Sequence, residues 1–404
     1  MIQRNYYMDH IRPFLDTELI KVLTGIRRGG KSVMLELIKE ELGIRGIADA
    51  NCISINFENM RFAHLCSAQA LHDEILNRSK EIDGKIYLFL DEIQEVEKWE
   101  HCINSFRVEL DCDIYITGSN AKLLSGELAT YLAGRYVEFV IYPFSFQEFL
   151  TVYQARNPHA SVTEIFQEYI RLGDMPFVSQ ISQDIQSSTQ YLVDIYNSVL
   201  LKDVVQRYNI RDIDLLERVV LYLMSNIGRP FSASSIAKYF KNEFRRVSNE
   251  TVLHYIHAFE DAFLFYPVRR YDLVGKKLLS VNEKYYIADH GLREAIYGRN
   301  EKDLDQILEN IVCLELLRRG YKIATGRIGA KEIDFICERH GEKLYIQVSY
   351  LLASAETISR EFDVLLTIPD NYPKYVVSLD EFNMSRDGIK HRNIREFLLM
   401  PNWE

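Results

Sequence analysis

Residues 25–32, GIRRGGKS, constrain the fold of this chain more than any other part of its sequence. They match the pattern G-x-x-x-x-G-K-[ST] at every fixed position, between the apolar run 19–24 and a helical pattern over 33–42. Glycines in such a loop let backbone N–H groups turn toward phosphate oxygens, and the following helix adds the positive end of its dipole. The pattern therefore predicts a strand, a phosphate-binding loop (Walker A) and a helix, in that order.

We expect this loop to bind the phosphates of ATP. The Lys31 ammonium would reach the β- and γ-phosphates, and the Ser32 hydroxyl would hold Mg²⁺. The alternative is a glycine-rich turn that matches by chance, and the strand and helix patterns on either side argue against it. The predicted nucleotide-binding residues are Gly25, Arg27, Arg28, Gly29, Gly30, Lys31, Ser32 and Val33.

Hydrolysis needs a second, acidic element, and the sequence offers one after the apolar run 86–90. Asp91 and Glu92 follow that run directly, so a buried strand would deliver both carboxylates at its carboxyl end. We expect Asp91 to belong to the Mg²⁺ shell and Glu92 to orient and deprotonate the attacking water (Walker B). The alternative is an ordinary acidic turn after a strand.

Two further polar positions are candidates for catalysis. Ser119 and Asn120 follow the fourth apolar run, where either could bond the γ-phosphate or the water, and helix N-capping is the alternative. Arg135 precedes the fifth run and could act as an arginine finger, in cis or from a neighbouring subunit; a solvated or salt-bridged arginine is the alternative. The predicted catalytic residues are Glu92, Lys31, Asn120 and Arg135, and the predicted metal-binding residues are Ser32 and Asp91.

Short apolar runs alternate with helical patterns over the first 145 residues. This rhythm is typical of parallel strands joined by helical crossovers, so we predict an α/β fold with a P-loop NTPase sheet within residues 1–150. The sequence then predicts a helical connector or lid over 151–225, a winged helix-turn-helix over 226–300 and a small α/β module over 301–404. The five runs are 19–24, 52–57, 86–90, 113–117 and 136–142.

The charge distribution bears on nucleic-acid binding. The chain of 404 residues has a net charge of −10, which excludes a uniformly basic DNA-binding surface. Residues 226–286 nevertheless carry 10 Lys+Arg against 6 Asp+Glu, so a local contact of the predicted winged helix with double-stranded DNA stays open. Packing or protein contacts are the alternative. The candidate contacts are Lys241, Arg245 and Arg246 before the second helix, and Arg269, Arg270, Lys276 and Lys277 at the wing.

Four segments together resemble the prokaryotic AAA-type ATPase family whose C-terminal half is a domain of unknown function. They are TGIRRGGKS, IYLFLDEIQEVEKW, YITGSNAKLLSGELATYLAGRYVEFVIYPFSFQEF and RLGDMPF. The resemblance implies an ASCE-type P-loop sheet, a winged-helix region and a degenerate restriction-endonuclease-like module. One departure is the turn 173–176, GDMP, where relatives more often carry two glycines, so its geometry is in question.

The nuclease-like layout of the last module is incomplete. Glu309 lies on a predicted helix and Asp334 on a predicted strand, and Gln347 and Ser349 occupy the places of the second carboxylate and the lysine. A nuclease of this type needs carboxylates for a hard divalent cation and a lysine beside the attacking hydroxide. We therefore predict a structural or DNA-docking remnant, unless Lys331 or Lys343 supplies the missing charge.

These features predict an ATP-binding, Mg²⁺-dependent ATPase that couples its nucleotide state to a DNA-binding or partner-binding C-terminal half. One alternative is a nucleotide-gated signalling or interaction protein with slow turnover and no DNA substrate; another is an ATP-dependent nuclease. No apolar stretch approaches the ~18 residues that span a bilayer, and the first ten residues lack the apolar core of a signal peptide. We therefore expect a cytoplasmic protein with reduced cysteines and a possible homo-oligomeric state; the physiological substrate stays open.

Overall fold

The computed structural model describes residues 2–124, 132, 134–181, 184–242, 247–272, 277–329 and 331–403. The chain divides into two compact units, Met1–Tyr142 with Asp261–Phe263 and Pro143–Glu260 with Leu264–Glu404. The division of the sequence into four segments stays a prediction. Within the described residues, no helix has the length and apolar character needed to cross a membrane.

A parallel sheet forms the centre of the first unit. Its strands are β1 (Ile20–Thr24), β2 (Cys52–Asn56), β3 (Ile86–Asp91), β4 (Cys112–Gly118) and β5 (Tyr136–Val140). They pair in the order β2-β3-β4-β1-β5, every pair parallel. All five lie where the apolar runs predict them, so the predicted P-loop NTPase sheet is confirmed. Because β4 lies between β1 and β3, one strand separates the phosphate loop from the acidic pair.

Helices cover both faces of this sheet. Leu88 and Leu90 of β3 pack in one core together with α3 (Ala68–Ser79) and α4 (Trp99–Glu109). Phe89, between them, packs on the opposite face with α1 (Asn5–Ile11) and α2 (Lys31–Ile44). Burial on both faces is why the central strands β1, β3 and β4 read as continuous apolar runs rather than as alternating patterns.

The second unit begins with a series of helices. The predicted helical region is present, as are the two helices predicted for the winged helix. The second of those two helices begins at Asn249. The residue before it is Ser248, whose hydroxyl accepts a hydrogen bond from the Thr251 N–H. The helices are α5 (Phe146–Arg156), α6 (Val162–Leu172), α7 (Val178–Ile181), α8 (Ile185–Ser198) with the π-helical turn Val199–Gln206, α9 (Ile213–Ser225), α10 (Ala233–Asn242), α11 (Asn249–Asp261), α12 (His290–Tyr297), α13 (Leu304–Arg318), α14 (Ala355–Leu366) and α15 (Ile394–Leu399).

A mixed sheet completes this unit. Its strands are β6 (Phe265–Asp272), β7 (Lys277–Ile287), β8 (Lys322–Ile328), β9 (Lys331–Arg339), β10 (Glu342–Val348), β11 (Lys374–Ser378) and β12 (Lys390–Asn393). The order is β12-β11-β10-β9-β8-β6-β7. The hairpin β6–β7, predicted as a wing, pairs through β6 with β8. The hairpin and the C-terminal strands therefore share one sheet.

The turn 173–176 depends on a buried carboxylate. Asp289 accepts hydrogen bonds from the N–H groups of Asp174 (2.6 Å), Met175 (2.9 Å) and Leu292 (2.6 Å). Gly173 has φ +83°, and a Cβ there would lie 2.7 Å from both Asp289 carboxylate oxygens. The first glycine of the turn is therefore required, whereas the second position accommodates the fully buried side chain of Asp174.

Candidate functional site

The phosphate loop is curled around the side chain of Lys31. Its ammonium donates hydrogen bonds to the carbonyl oxygens of Gly25 (3.0 Å) and Ile26 (3.2 Å). Gly25 has φ +135°, and a Cβ there would lie 2.3 Å from the Ile141 carbonyl oxygen, so only glycine fits. Gly30 (φ 105°) precedes α2, and no side chain caps this helix N-terminus. The uncapped N–H groups and the ammonium fit a phosphate chain.

The arginines of the loop differ in environment. Arg27 is buried, and its guanidinium donates to the Glu58 carboxylate at 2.5 Å. Arg28 is exposed and has a left-handed backbone conformation, φ 65°. Ser32 and Val33, in the first turn of α2, are both exposed on the open side of the loop.

Arg4, which was not predicted from the sequence, contacts the backbone of the phosphate loop. It is buried, and it donates to the carbonyl oxygens of Gly29 (3.1 Å) and Tyr142 (2.8 Å). Its guanidinium also lies over the Tyr7 ring, 4.5 Å from the centroid. No motif marks this arginine, because its role depends on the return of the N-terminal segment to the loop.

Asp91 lies at the carboxyl end of β3, held by the neighbouring strands. The Thr117 hydroxyl on β4 donates to its Oδ1 at 2.5 Å, and Asn56 on β2 donates to its Oδ2 at 2.7 Å. Burial raises the pKa of Asp91, and hydrogen bonds from Thr117 and Ser32 oppose this rise. Asn56 was not predicted from the sequence, although a polar residue near the end of a predicted strand was an available signal.

A cavity of about 340 Å³ opens beside this carboxylate and is lined by Ser32, Asn56 and Asp91, together with Glu36 and Lys39 of α2. The Ser32 hydroxyl and the Asp91 carboxylate supply oxygen ligands of the kind that bind Mg²⁺. Among the described residues, no three His, Cys, Asp or Glu side chains form a metal-binding group. The Ser32 and Asp91 oxygens fit a cation whose remaining ligands are water and phosphate oxygens.

Glu92 faces Lys31 across the site. Its Oε1 lies 3.7 Å from the Lys31 Nζ, and its Oε2 accepts hydrogen bonds from the Gln94 amide and the Ser119 hydroxyl (3.3 Å). Burial raises the pKa of Glu92, but Lys31, then Gln94 and Arg27, outweigh burial and hold it below the ordinary value. The carboxylate is therefore ionised at neutral pH, as a general base requires.

The two remaining catalytic candidates lie in different surroundings. The Ser119 hydroxyl contacts the Glu92 carboxylate. Asn120 is buried, and its backbone carbonyl oxygen accepts the Leu123 N–H. The Arg135 guanidinium donates to the Asn104 side chain on α4 at 3.2 Å. The roles of Asn120 and Arg135 in catalysis stay predictions.

In the second unit, the predicted nuclease-like residues cluster around an unpredicted lysine. Lys284 of β7 is buried, and its Nζ lies 3.0 Å from Glu309, 2.7 Å from Glu332 and 3.8 Å from Asp334. The Tyr286 hydroxyl also donates to Glu309, at 2.6 Å. The positive charge that Ser349 cannot supply therefore comes from an earlier strand.

Gln347 forms a hydrogen bond at each end of its amide in this cluster. It accepts the Asp334 N–H at 2.8 Å and donates to the Glu361 carboxylate at 2.8 Å. Lys331 lines the adjoining cavity with Asp334. Glu361 on α14 was not predicted, because nothing in its local pattern distinguishes it from a surface glutamate.

The candidate DNA contacts are described only in part. Arg269 is exposed and its guanidinium lies 3.5 Å from Glu283. Arg270 lies beside it on β6 and is half-buried. Arg245, Arg246 and Lys276 lie outside the described residues, as do the side chains of Lys241 and Lys277.

Comparisons with known proteins agree with this geometry. Residues 17–150 match the family model described as an AAA domain, and residues 163–303 match a domain of unknown function, DUF8612. An uncharacterized protein of Haemophilus influenzae is 39% identical over 400 residues, 99% of each chain. An uncharacterized protein of Methanocaldococcus jannaschii is 30% identical over 348 residues, 82% of this chain and 75% of that protein.

A structural likeness is much looser. The Aeropyrum pernix Orc1 protein, solved in complex with DNA, covers 72% of this chain and 90% of its own length, with 13% identity and a TM-score of 0.30. A TM-score this low carries no argument about function. The sheet order, the Walker A loop and the AAA match define the class, a P-loop ATP-binding NTPase. The chain belongs to the prokaryotic AAA-type P-loop ATPase family, the one its motifs resemble.

Proposed function

We propose that this protein hydrolyses ATP in a Mg²⁺-dependent reaction at the site formed by Lys31, Ser32, Asp91 and Glu92. The observation that supports the proposal most directly is the pairing of an ionised, buried Glu92 with the Lys31 ammonium, 3.7 Å apart, beside an uncapped helix N-terminus. A base and a cation that face each other across a phosphate loop are the elements of water-mediated phosphoryl transfer.

Each residue of the site has a separate task in this reaction. The backbone N–H groups at the start of α2 and the Lys31 ammonium bind the phosphates, and Lys31 exchanges its carbonyl partners for phosphate oxygens. Ser32 and Asp91 would hold Mg²⁺, which neutralises charge that develops on the phosphate oxygens. Glu92 orients the attacking water and takes its proton.

The test is phosphate release by the purified protein with Mg²⁺ and ATP. Lys31→Ala is expected to abolish turnover, while Arg45→Ala, at the far end of the same helix and paired with Glu41, leaves it unchanged. Glu92→Gln is expected to retain ATP binding and to lower kcat by about 10²–10⁴-fold. The matched control is Glu95→Gln, an exposed carboxylate of the same turn. Full turnover in Glu92→Gln would contradict the assignment of the base.

We further propose that the C-terminal half contacts double-stranded DNA through the segment 226–286, where the local excess of basic residues supports it. Anisotropy of a labelled duplex across a salt series is the measurement. Loss of Arg269 or Arg270 is expected to reduce the slope of log K against log salt by about one each. Absence of binding at low salt would favour the alternative, a nucleotide-gated protein with a protein partner.

A homo-oligomer would allow Arg135 to act in trans, and mixing tests this possibility. Arg135→Ala and Glu92→Gln are each expected to be inactive alone. If the finger comes from a neighbouring copy, a mixture regains part of the turnover, because one interface then carries both native residues. No recovery in a mixture that forms mixed oligomers would exclude the trans arrangement.

A further inference from the structure

The turn after β3 folds back so that one of its side chains holds Glu92. Glu92 itself has a left-handed conformation, φ 56° and ψ 50°, which a residue with a Cβ adopts at some cost. Its N–H donates to the Thr117 hydroxyl at 2.8 Å. Two residues later, the Gln94 amide returns to donate to Glu92 Oε2. The strained backbone and the returning amide together set the direction of the carboxylate.

The neighbouring strand leaves room for this amide. A Cβ on Gly118, in β4, would lie 2.7 Å from the Gln94 Oε1. That oxygen is buried and makes no hydrogen bond among the described residues. A buried, unpaired amide oxygen costs about 1–3 kcal/mol, a cost that an apolar side chain would avoid. What an amide offers at this position, and an apolar side chain does not, is therefore the hydrogen bond from its nitrogen to Glu92.

The bond matters because Glu92 has a competing partner. With Oε2 held by Gln94 and Ser119, Oε1 stays 3.7 Å from the Lys31 ammonium. Without the amide, rotation of the carboxylate toward Lys31 would shorten this contact to a hydrogen-bonded ion pair in a site of low dielectric. That pair would remove the base from the water and engage the ammonium that the γ-phosphate needs.

We infer that Gln94 is a positioning residue. It holds the Glu92 carboxylate in the orientation that the attacking water needs and prevents the carboxylate from rotating into closer contact with Lys31. The inference rests on the proposed ATPase function. Gln94 acts through Glu92, and its substitution should therefore change the chemical step more than nucleotide binding. A misplacement of a catalytic group by about 1 Å can cost on the order of 10²-fold in rate.

The experiment compares Gln94→Leu and Gln94→Met with the wild type, in kcat and in the Kd for ATP. We expect kcat to fall about 10- to 100-fold and Kd to change less than about threefold. Gln94→Met retains the length of the side chain, so it replaces Gln94→Leu if the branched residue does not fold. Glu95→Gln is the matched control on the same turn.

A double-mutant cycle separates positioning from a merely structural role. In a Glu92→Gln background, measured as single-turnover hydrolysis, Gln94→Leu should lower the residual rate by less than about twofold, because the group it positions is gone. An undiminished further loss in that background would overturn the inference, as would wild-type kcat in both Gln94 variants. Absence of turnover in the wild type would refute the ATPase function and this inference with it; wild-type turnover with unaffected Gln94 variants would refute this inference alone.

Discussion

Arg4 gives the sharpest test of how the N-terminal segment supports the nucleotide site. The change is Arg4→Met, which retains an unbranched side chain and removes the guanidinium. Two buried carbonyl oxygens, those of Gly29 and Tyr142, then lose donors at 3.1 and 2.8 Å. Each hydrogen bond from a charged donor contributes about 1.5–3 kcal/mol, so their joint loss is about 3–6 kcal/mol.

Part of this loss is offset. A buried guanidinium carries a desolvation cost of its own, and a methionine in its place gains apolar burial. We therefore expect a net decrease of about 2–4 kcal/mol in the free energy of unfolding. The Gly29 bond concerns nucleotide binding directly. Its loss, taken at the lower end of the range for one hydrogen bond from a charged donor, about 1.5 kcal/mol, lowers the population of the binding-competent loop and weakens the Kd for ATP about tenfold.

The assays are urea unfolding and fluorescence titration with an ATP analogue, and Arg12→Met serves as the control. Arg12 is partly exposed and pairs with Asp9 and Glu41 without contact to the loop, so its loss should cost less than about 1 kcal/mol. If Arg4→Met binds ATP within about twofold of the wild type, the reasoning about the loop is refuted. Equal destabilisation in both variants would refute the reasoning about buried carbonyls.

Two predictions concern the second unit. The pKa of Asp174 is raised well above its usual value, first by burial and then by the Asp289 carboxylate. The free energy of unfolding of the wild type therefore falls as pH rises from about 4 through that raised pKa. Asp174→Asn should match the wild type in acid and exceed it at pH 8 in urea midpoint; a constant difference at all pH values would contradict this. Lys284→Met leaves three carboxylates without their cation and should lower the free energy of unfolding in urea by about 3–5 kcal/mol. Adding Glu309→Gln should recover part of this loss. A Lys284→Met variant as stable as the wild type would show that the cluster needs no ammonium.

The strand positions of the first unit could be predicted, because its central strands β1, β3 and β4 are buried on both faces. Such strands are marked by unbroken apolar runs, and the Walker A pattern specifies the loop and helix that come after β1. The seven-stranded sheet could not be predicted in the same way. β6 joins β8 across a long stretch of sequence, and no local pattern specifies a parallel pairing between a hairpin and a strand so distant.

The candidate site divides along similar lines. Lys31, Ser32, Asp91 and Glu92 are predictable from motif and spacing, and the structure brings them together at one edge of the sheet. Their supporting residues depend on how strands meet. Asn56 opposes Asp91 in the register of β2 and β3, and Thr117 contacts both Asp91 and Glu92 from β4. Those contacts require the strand order, which periodicity alone does not determine.

The C-terminal cluster shows why a missing motif residue is weak evidence about charge. Ser349 predicts the loss of a positive charge, yet Lys284 supplies one from β7, close to three carboxylates. Burial, and next Glu309, raise the pKa of Asp334 well above its ordinary value, so Asp334 keeps its proton to a higher pH and the cluster is less negative than its composition suggests. A neutral Gln347 amide and a resident ammonium reduce the attraction for a divalent cation further. The prediction that this module is not an active nuclease therefore rests on this charge balance and not on the absence of a lysine.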